Sequence, residues 1–253
     1  MIVTMSPAKL LDFKTSVLTA KETLPQYGRQ AKELNELLSQ LDVEELKALM
    51  KINPSQAMDV FQYVHGFDLH KVSKRQAVFV YNGIAYSGLD PRSMSESDID
   101  YAQDHLIIFS GLYGMLRPLD LIKPYRLELQ TKLVNPKGDD LYKYWREELT
   151  SNLKKRLSAD DKIWINLTSS EYTKAIDKKR LPVDTTIITP DFKQQTANGY
   201  RQVIVHTKKA RGMLARFILQ NRLTSVEDVK GFDAEGYYFS EELSTKGEFT
   251  FVR

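Results

Sequence analysis

Residues 192–226 hold seven basic side chains, Lys193, Arg201, Lys208, Lys209, Arg211, Arg216 and Arg222, and no acid. Lysine and arginine offer positive charge and N–H donors, the chemistry that grips phosphate and carboxylate groups. The pattern over residues 207–223 predicts a helix. Stepped at about 100° per residue, Ala210, Met213, Leu214, Phe217 and Ile218 fall on one face. Lys208, Lys209, Arg211, Arg216 and Arg222 fall on the other. Gly212 stands among the basic residues, where a phosphate would meet bare backbone. No Asp or Glu stands four residues away from any of these cations to balance it. Lys208 and Lys209 are expected in the first turn, where the helix dipole disfavours cations and attracts anions. Phosphate or nucleic-acid contact is the reading this pattern favours. The alternative is the solvated face of an ordinary helix.

A second basic stretch, SGLYGMLRPLDLIKPYRLEL at residues 110–129, follows an apolar run at 106–109 that reads as a buried strand. Pro118 and Pro124 prevent one long helix across it. Two readings stand side by side. In one, Arg117, Lys123 and Arg126 contact phosphates, Tyr113 and Tyr125 stack or hydrogen-bond, and Gly111 and Gly114 present backbone N–H groups. In the other, the stretch is a structural crossover whose arginines pair with Asp120 and Glu128.

Weaker motifs are read conservatively. Ser6-Pro7-Ala8-Lys9 matches the Ser-x-x-Lys nucleophile motif, but the Ser-Asp-Asn and Lys-Thr-Gly partners of that chemistry are absent. A strand-to-helix turn, or a phosphate contact by Lys9, is the better reading. The loop follows a strand at residues 2–4, and α/β pockets form at such C-terminal strand ends. The one local histidine cluster is His65-x-x-Asp68-x-His70, whose spacing does not share a helical face. No metal site is expected from it. The hydroxyls of residues 166–172 read as helix caps.

The elements needed to position these groups come from the hydrophobic pattern. Helices are expected at 26–40, 43–51, 55–64, 95–103 and 141–157, with Ser95 as a cap. Strands are expected at 76–81, continuing through 84–86, and at 162–167, 185–189, 200–205, 237–240 and 248–252. Asn198-Gly199 signals a hairpin between the 185–189 and 200–205 strands. With 42% hydrophobic residues, the 253-residue chain can bury a sizeable core. A net charge of +3 does not by itself argue for nucleic acid. The absence of cysteine excludes disulfides, thiolate metal sites and thiol catalysis. Neither a secretory signal nor a membrane-spanning run is evident, so the cytoplasm is the expected compartment. One mixed α/β (α+β) domain spanning residues 1–253 is expected.

The blocks SPAKLLDF at Ser6, SGLYGMLRPLDLIKPYRLEL at Ser110, LYKYW at Leu141, KKARGMLARFILQNRL at Lys208 and GFDAEGYYF at Gly231 together resemble the YaaA family of bacterial peroxide-stress proteins. The resemblance implies a rolled β-sheet wrapped by helices, the "cannoli" fold. It also implies a basic cleft, a helix-hairpin-helix element, DNA binding without sequence preference, and a role in lowering free iron. Ser110-Gly111-Leu112-Tyr113-Gly114 has two residues between its glycines where the usual hairpin has one, so no residues are assigned to that element. The expectation is sequence-tolerant binding of double-stranded or structured DNA in a groove walled by the 207–223 helix and the central stretch. Its contacts would be Lys9, Arg117, Lys123, Tyr125, Arg126, Lys208, Lys209, Arg211 and Arg216, with no cofactor. The alternative is an enzyme taking a small anionic or phosphate-bearing substrate in the same cleft, with Ser6, Lys9, Arg117, Tyr125 and Lys209 brought together. A deep pocket favours the enzyme and a long open groove favours nucleic acid. A third reading is passive iron sequestration.

Overall fold

A computed structural model describes residues 1–17, 19–68 and 72–253 of the chain. In order, its first half runs β1 (Ile2–Met5), α1 (Gly28–Leu38), α2 (Val43–Met50), α3 (Pro54–Gly66), β2 (Arg75–Gln76), α4 (Ala77–Val80), α5 (Ile84–Leu89), α6 (Glu96–His105), β3 (Leu106–Ser110), β4 (Gly114–Leu116) and β5 (Leu121–Ile122). Its second half runs α7 (Leu141–Ala159), β6 (Ile163–Leu167), α8 (Ser170–Thr173), β7 (Thr186–Ile188), β8 (Asp191–Thr196), β9 (Gly199–Arg201), α9 (Ile204–Gln220), α10 (Val226–Val229), β10 (Tyr238–Thr245) and β11 (Glu248–Val252). The architecture is mixed α/β, as expected. No helix among the described residues is long and apolar enough to cross a membrane.

The main sheet has the order β4-β3-β1-β6-β7. β1 runs parallel to both β3 and β6, with Val3 opposite Leu106 on one side and Ile165 on the other. β7 continues the parallel set beyond β6, and β4 closes the other edge antiparallel to β3. Every residue of β1 is buried, the near-continuous apolar reading that interior parallel strands require. A second sheet has the order β10-β11-β8-β9, and β2 pairs with β5 in a small third one. From β1 the chain reaches β3 on one side and later returns to β6 on the other. The C-terminal ends of β1 and β6 therefore border a switch in strand order, the place where α/β sheets hold ligands.

Local sequence explains the strongest elements. In α7, Leu141, Trp145, Leu149, Leu153 and Leu157 recur every four residues, and all are fully buried, so one stripe of the helix meets the core. Ser95 caps α6 in a reciprocal capping box with Asp98. Gly114 has φ of +68°, and a Cβ there would lie 2.6 Å from the Trp145 ring. The Trp145 indole also donates to the Gly111 carbonyl at 2.9 Å. Gly114 thus lets α7 press onto the β3–β4 turn, and a Cβ on Gly111 would lie 2.2 Å from the Leu127 carbonyl oxygen, contacts that favour the structural one of the two readings.

Several expected elements differ. Residues 76–81 form β2 and the helical turn α4 in place of a long strand, because Ala77 and Val78 donate their N–H groups to Asp120 and Pro118 carbonyls while Tyr81 N–H turns back to Ala77. Residues 84–86 belong to α5. Asn198-Gly199 does make a hairpin, but its strands are β8 and β9. The run from Ser110 to Gly114 links β3 to β4 as antiparallel strands, with no helix on either side. α9 begins at Ile204, so Lys208 and Lys209 lie beyond its first turn and the dipole argument made for them does not hold.

Candidate functional site

A cavity of about 570 Å³ opens at the C-terminal ends of β1 and β6. The loop after β1 supplies Ser6 and Lys9, the loop after β6 supplies Ser169, and α8 supplies Glu171 and Tyr172. Tyr125, Arg126 and Glu128 come from the central stretch, Tyr86 from α5, and Lys208 and Arg211 from α9. The two strand ends are tied directly, since Ser169 donates its backbone N–H to Ser6 Oγ at 2.9 Å. Ser169 makes no side-chain cap on α8. Capping by its hydroxyl, the reading preferred from sequence, gives way to a contact across the mouth of the sheet. Thr168 instead bonds Asn166 Oδ1 through its hydroxyl at 2.6 Å. Ser6 and Lys9 have separate partners, for Lys9 Nζ pairs with Glu128 Oε1 at 2.9 Å.

α9 reaches the cavity because it crosses α5 closely. A Cβ on Gly212 would sit 1.7 Å from the Ala85 carbonyl oxygen, and one on Gly88 would sit 2.1 Å from the Lys209 carbonyl oxygen. Gly212 is therefore buried against α5, and no phosphate can approach its backbone. The crossing turns Lys208 and Arg211 toward the cavity that Ala85 and Tyr86 also line.

The nine cleft residues expected from sequence divide in two. Lys9, Tyr125, Arg126, Lys208 and Arg211 line the cavity. Arg117, Lys123, Lys209 and Arg216 do not, and each has a partner elsewhere. Arg117 binds Asp120 through its backbone N–H at 2.8 Å and its guanidinium at 3.1 Å, and Asp120 is 1% exposed. Lys123 donates to the Phe67 carbonyl and lies over its ring. Lys209 pairs with Glu235. Arg216 donates to the Asp90 carbonyl and Ser93 Oγ, both at 2.8 Å. The acids missing from the local sequence arrive from distant segments, including Asp98 beside Arg222 at 3.5 Å. The groove walled by the whole central stretch is thus reduced to Tyr125, Arg126 and their neighbours.

Beneath the cavity the Tyr125 hydroxyl shares hydrogen bonds of 2.6 Å with Tyr81 and 2.7 Å with Ser110. Burial pushes its pKa up to about 12, against the lowering effect of those bonds. Tyr125 is thus a neutral, structural floor. Burial likewise raises Tyr86 and Tyr172 well above the ordinary phenol range. Among the described residues five buried side-chain polar atoms lack a hydrogen-bond partner, and two of these, Arg126 Nε and Arg211 Nε, belong to residues of this cavity.

Sequence reading passed over Glu171 and gave Glu128 only a structural role. Both carboxylates line the cavity. Burial raises the Glu171 pKa, and the nearby Glu128 charge raises it further. Their positions lie 43 residues apart in the chain, so no local motif marks the pair. Among the described residues no three His, Asp or Glu side chains converge as metal ligands. His70, part of the histidine cluster noted from sequence, lies outside those residues.

Residues 1–243 match the family model described as peroxide stress protein YaaA. The chain is 43% identical to a UPF0246 protein of Alteromonas mediterranea, covering 100% of this chain and 98% of the relative. It is 42% identical to one of Aromatoleum aromaticum, covering 100% and 99%, and 40% identical to one of Francisella tularensis, covering 100% of both. The blocks that suggested the resemblance lie within a match that spans the sheet, the cavity and α9. The chain belongs to the YaaA family of peroxide stress proteins.

Proposed function

We propose that the chain serves its peroxide-stress role by holding a small phosphate- or carboxylate-bearing molecule in the cavity at the ends of β1 and β6. The observation that carries this reading is the pair Arg126 and Arg211, two guanidiniums of one cavity that each keep a buried Nε without an acceptor. An unmet buried donor costs about 1–3 kcal/mol, and a planar guanidinium is the side chain best matched to carboxylate or phosphate. Lys208 adds charge at the rim, and Ser6, Ser169 and Gln130 add polar contacts. A cavity of about 570 Å³ is of ligand size. Glu171 supplies a carboxyl whose raised pKa suits proton transfer, so an enzyme acting on the bound anion is the form of this reading the cavity favours.

The second reading is sequence-tolerant DNA binding by a rolled-sheet protein with a helix-hairpin-helix element, coupled to lower free iron. What favours it is Lys208, exposed at the rim of the cavity on a helix that carries no acid.

Calorimetric titration with inorganic phosphate, pyrophosphate and citrate tests the first reading. Labelled-duplex anisotropy over a salt series tests the second. Saturable heat that disappears in Arg211→Gln is the expected result. No heat from any small anion overturns it. The second reading takes its place if the duplex binds with a salt slope that Lys208→Ala lowers by about 0.9.

A further inference from the structure

A second cavity of about 440 Å³ lies next to the first. Lys9, Arg126, Glu128 and Gln130 line both. These four residues stand where the two cavities meet. Their tightest link is the Lys9–Glu128 pair at 2.9 Å, with Arg126 Nη2 3.8 Å from the same carboxylate oxygen. The Lys9 side chain is 63% exposed and that of Glu128 18%, so water screens the pair from the lysine side.

The two compartments differ in chemistry. Tyr86, Tyr125, Tyr172, Leu127 and Leu167 belong only to the first, as do the cations Lys208 and Arg211. Among the described residues the second has no aromatic lining and adds its own cations, Lys51 and Lys132. Lys51 caps the C-terminal end of α2 with φ of 53°, where its charge partly offsets the negative end of the helix dipole. Lys132 is exposed. Each compartment thus has cationic groups of its own, the aromatic surface belongs to the first, and Arg126 lines both.

We propose that the two cavities form one site for a ligand with two anionic groups joined through a ring-bearing body, of the class of a nucleoside bisphosphate. One phosphate meets Arg211 and Lys208, the nucleoside lies against the tyrosines of the first cavity, and the other phosphate enters the second cavity. There it replaces Glu128 as the partner of Lys9. This inference rests on the anion-binding reading of the first cavity and adds the second compartment to it.

The test is calorimetric titration of the full chain with adenosine, adenosine 5′-monophosphate, adenosine 3′,5′-bisphosphate and pyrophosphate. The bisphosphate is expected to bind at least roughly tenfold tighter than the monophosphate, the effect of one added charge-assisted contact. The double variant Lys51→Asn/Lys132→Ala, whose Asn tolerates the positive φ, is expected to remove that advantage and leave monophosphate binding unchanged. Glu128→Gln is expected to tighten bisphosphate binding, because it frees Lys9 and removes a repelling charge. A bisphosphate that binds no better than the monophosphate overturns the inference, as does an advantage that survives the double variant. In both cases Arg211-dependent binding of pyrophosphate leaves the anion reading standing. Loss of all anion binding overturns both. A 5′-phosphorylated dinucleotide that binds as tightly as the bisphosphate assigns the unit to a nucleic-acid strand. Binding of the free bisphosphate alone assigns a small molecule.

Discussion

Gly212→Ala is the most direct probe of how the cavity is held together. The added methyl would lie 1.7 Å from the Ala85 carbonyl oxygen and 2.7 Å from Leu89 N, where ordinary contacts are ~3.5–4.0 Å. Both clashing atoms are backbone, so no side chain can turn aside and α5 must move bodily from α9. Overpacking at a rigid contact costs about 3 kcal/mol, and the better helix propensity of alanine returns about 1 kcal/mol. The net loss of about 2 kcal/mol corresponds to a Tm lower by ~4–8 °C for a chain of this size. Urea unfolding followed by Trp145 and Trp164 fluorescence reads it directly, since both indoles are fully buried. Gly28→Ala is the control. It stands at the start of α1 with nothing within 4 Å of the new methyl, and its effect should stay within about 0.5 kcal/mol. A Gly212→Ala protein with the wild-type midpoint would refute the close crossing. If that variant also lost anion binding, a phosphate approach to bare backbone at Gly212 would return as the better account.

Three further outcomes follow from the same geometry. Tyr125→Phe leaves the Tyr81 and Ser110 hydroxyls without their shared partner, so stability should fall by about 1–3 kcal/mol while anion affinity holds; a calorimetric affinity that drops instead would make the hydroxyl a ligand contact. Arg117→Ala removes a guanidinium that is 35% exposed, and because the site is partly solvated the loss should be about 1–3 kcal/mol in urea unfolding, with duplex and small-anion binding unchanged. Anion affinity should rise as pH falls through the raised pKa of Glu171, since protonation removes a negative charge from the cavity; titrations across that range should show the rise in the wild type and a flatter profile in Glu171→Gln.

The sequence made some of this legible and hid the rest for identifiable reasons. The α7 stripe and the Ser95 cap are local patterns, and they appear where their periods place them. The apolar run at 76–81 fits a strand period and a buried helical turn equally well, and carbonyls at Pro118 and Asp120 decide between them. The basic face of α9 was legible as charge. Which of its members are free to act was not, because Glu235, Asp90 and Asp98 reach it from other elements. Lys208 and Arg211 face the cavity, while Lys209 and Arg216 turn to Glu235 and Asp90. Glu171 was invisible as a site residue because a carboxyl inside a basic cavity has no mark in its own neighbourhood. The pocket at the end of β1 was anticipated from the rule about strand ends, and the return of β6 beside β1 completes it.

The placement of β1 has a consequence for how the protein is made. Its residues register with Leu106 to Ile108 on one edge and with Trp164 to Leu167 on the other. At about 5–20 residues per second, this apolar strand waits on the order of ten seconds for β6, its second edge. Throughout that interval it is an open template for wrong pairing. Translational pauses, or a shortage of chaperones that shield nascent chains, would act on these four residues before any others in the sheet. A strand buried along its whole length in the finished molecule is the one left longest without its neighbours on the ribosome.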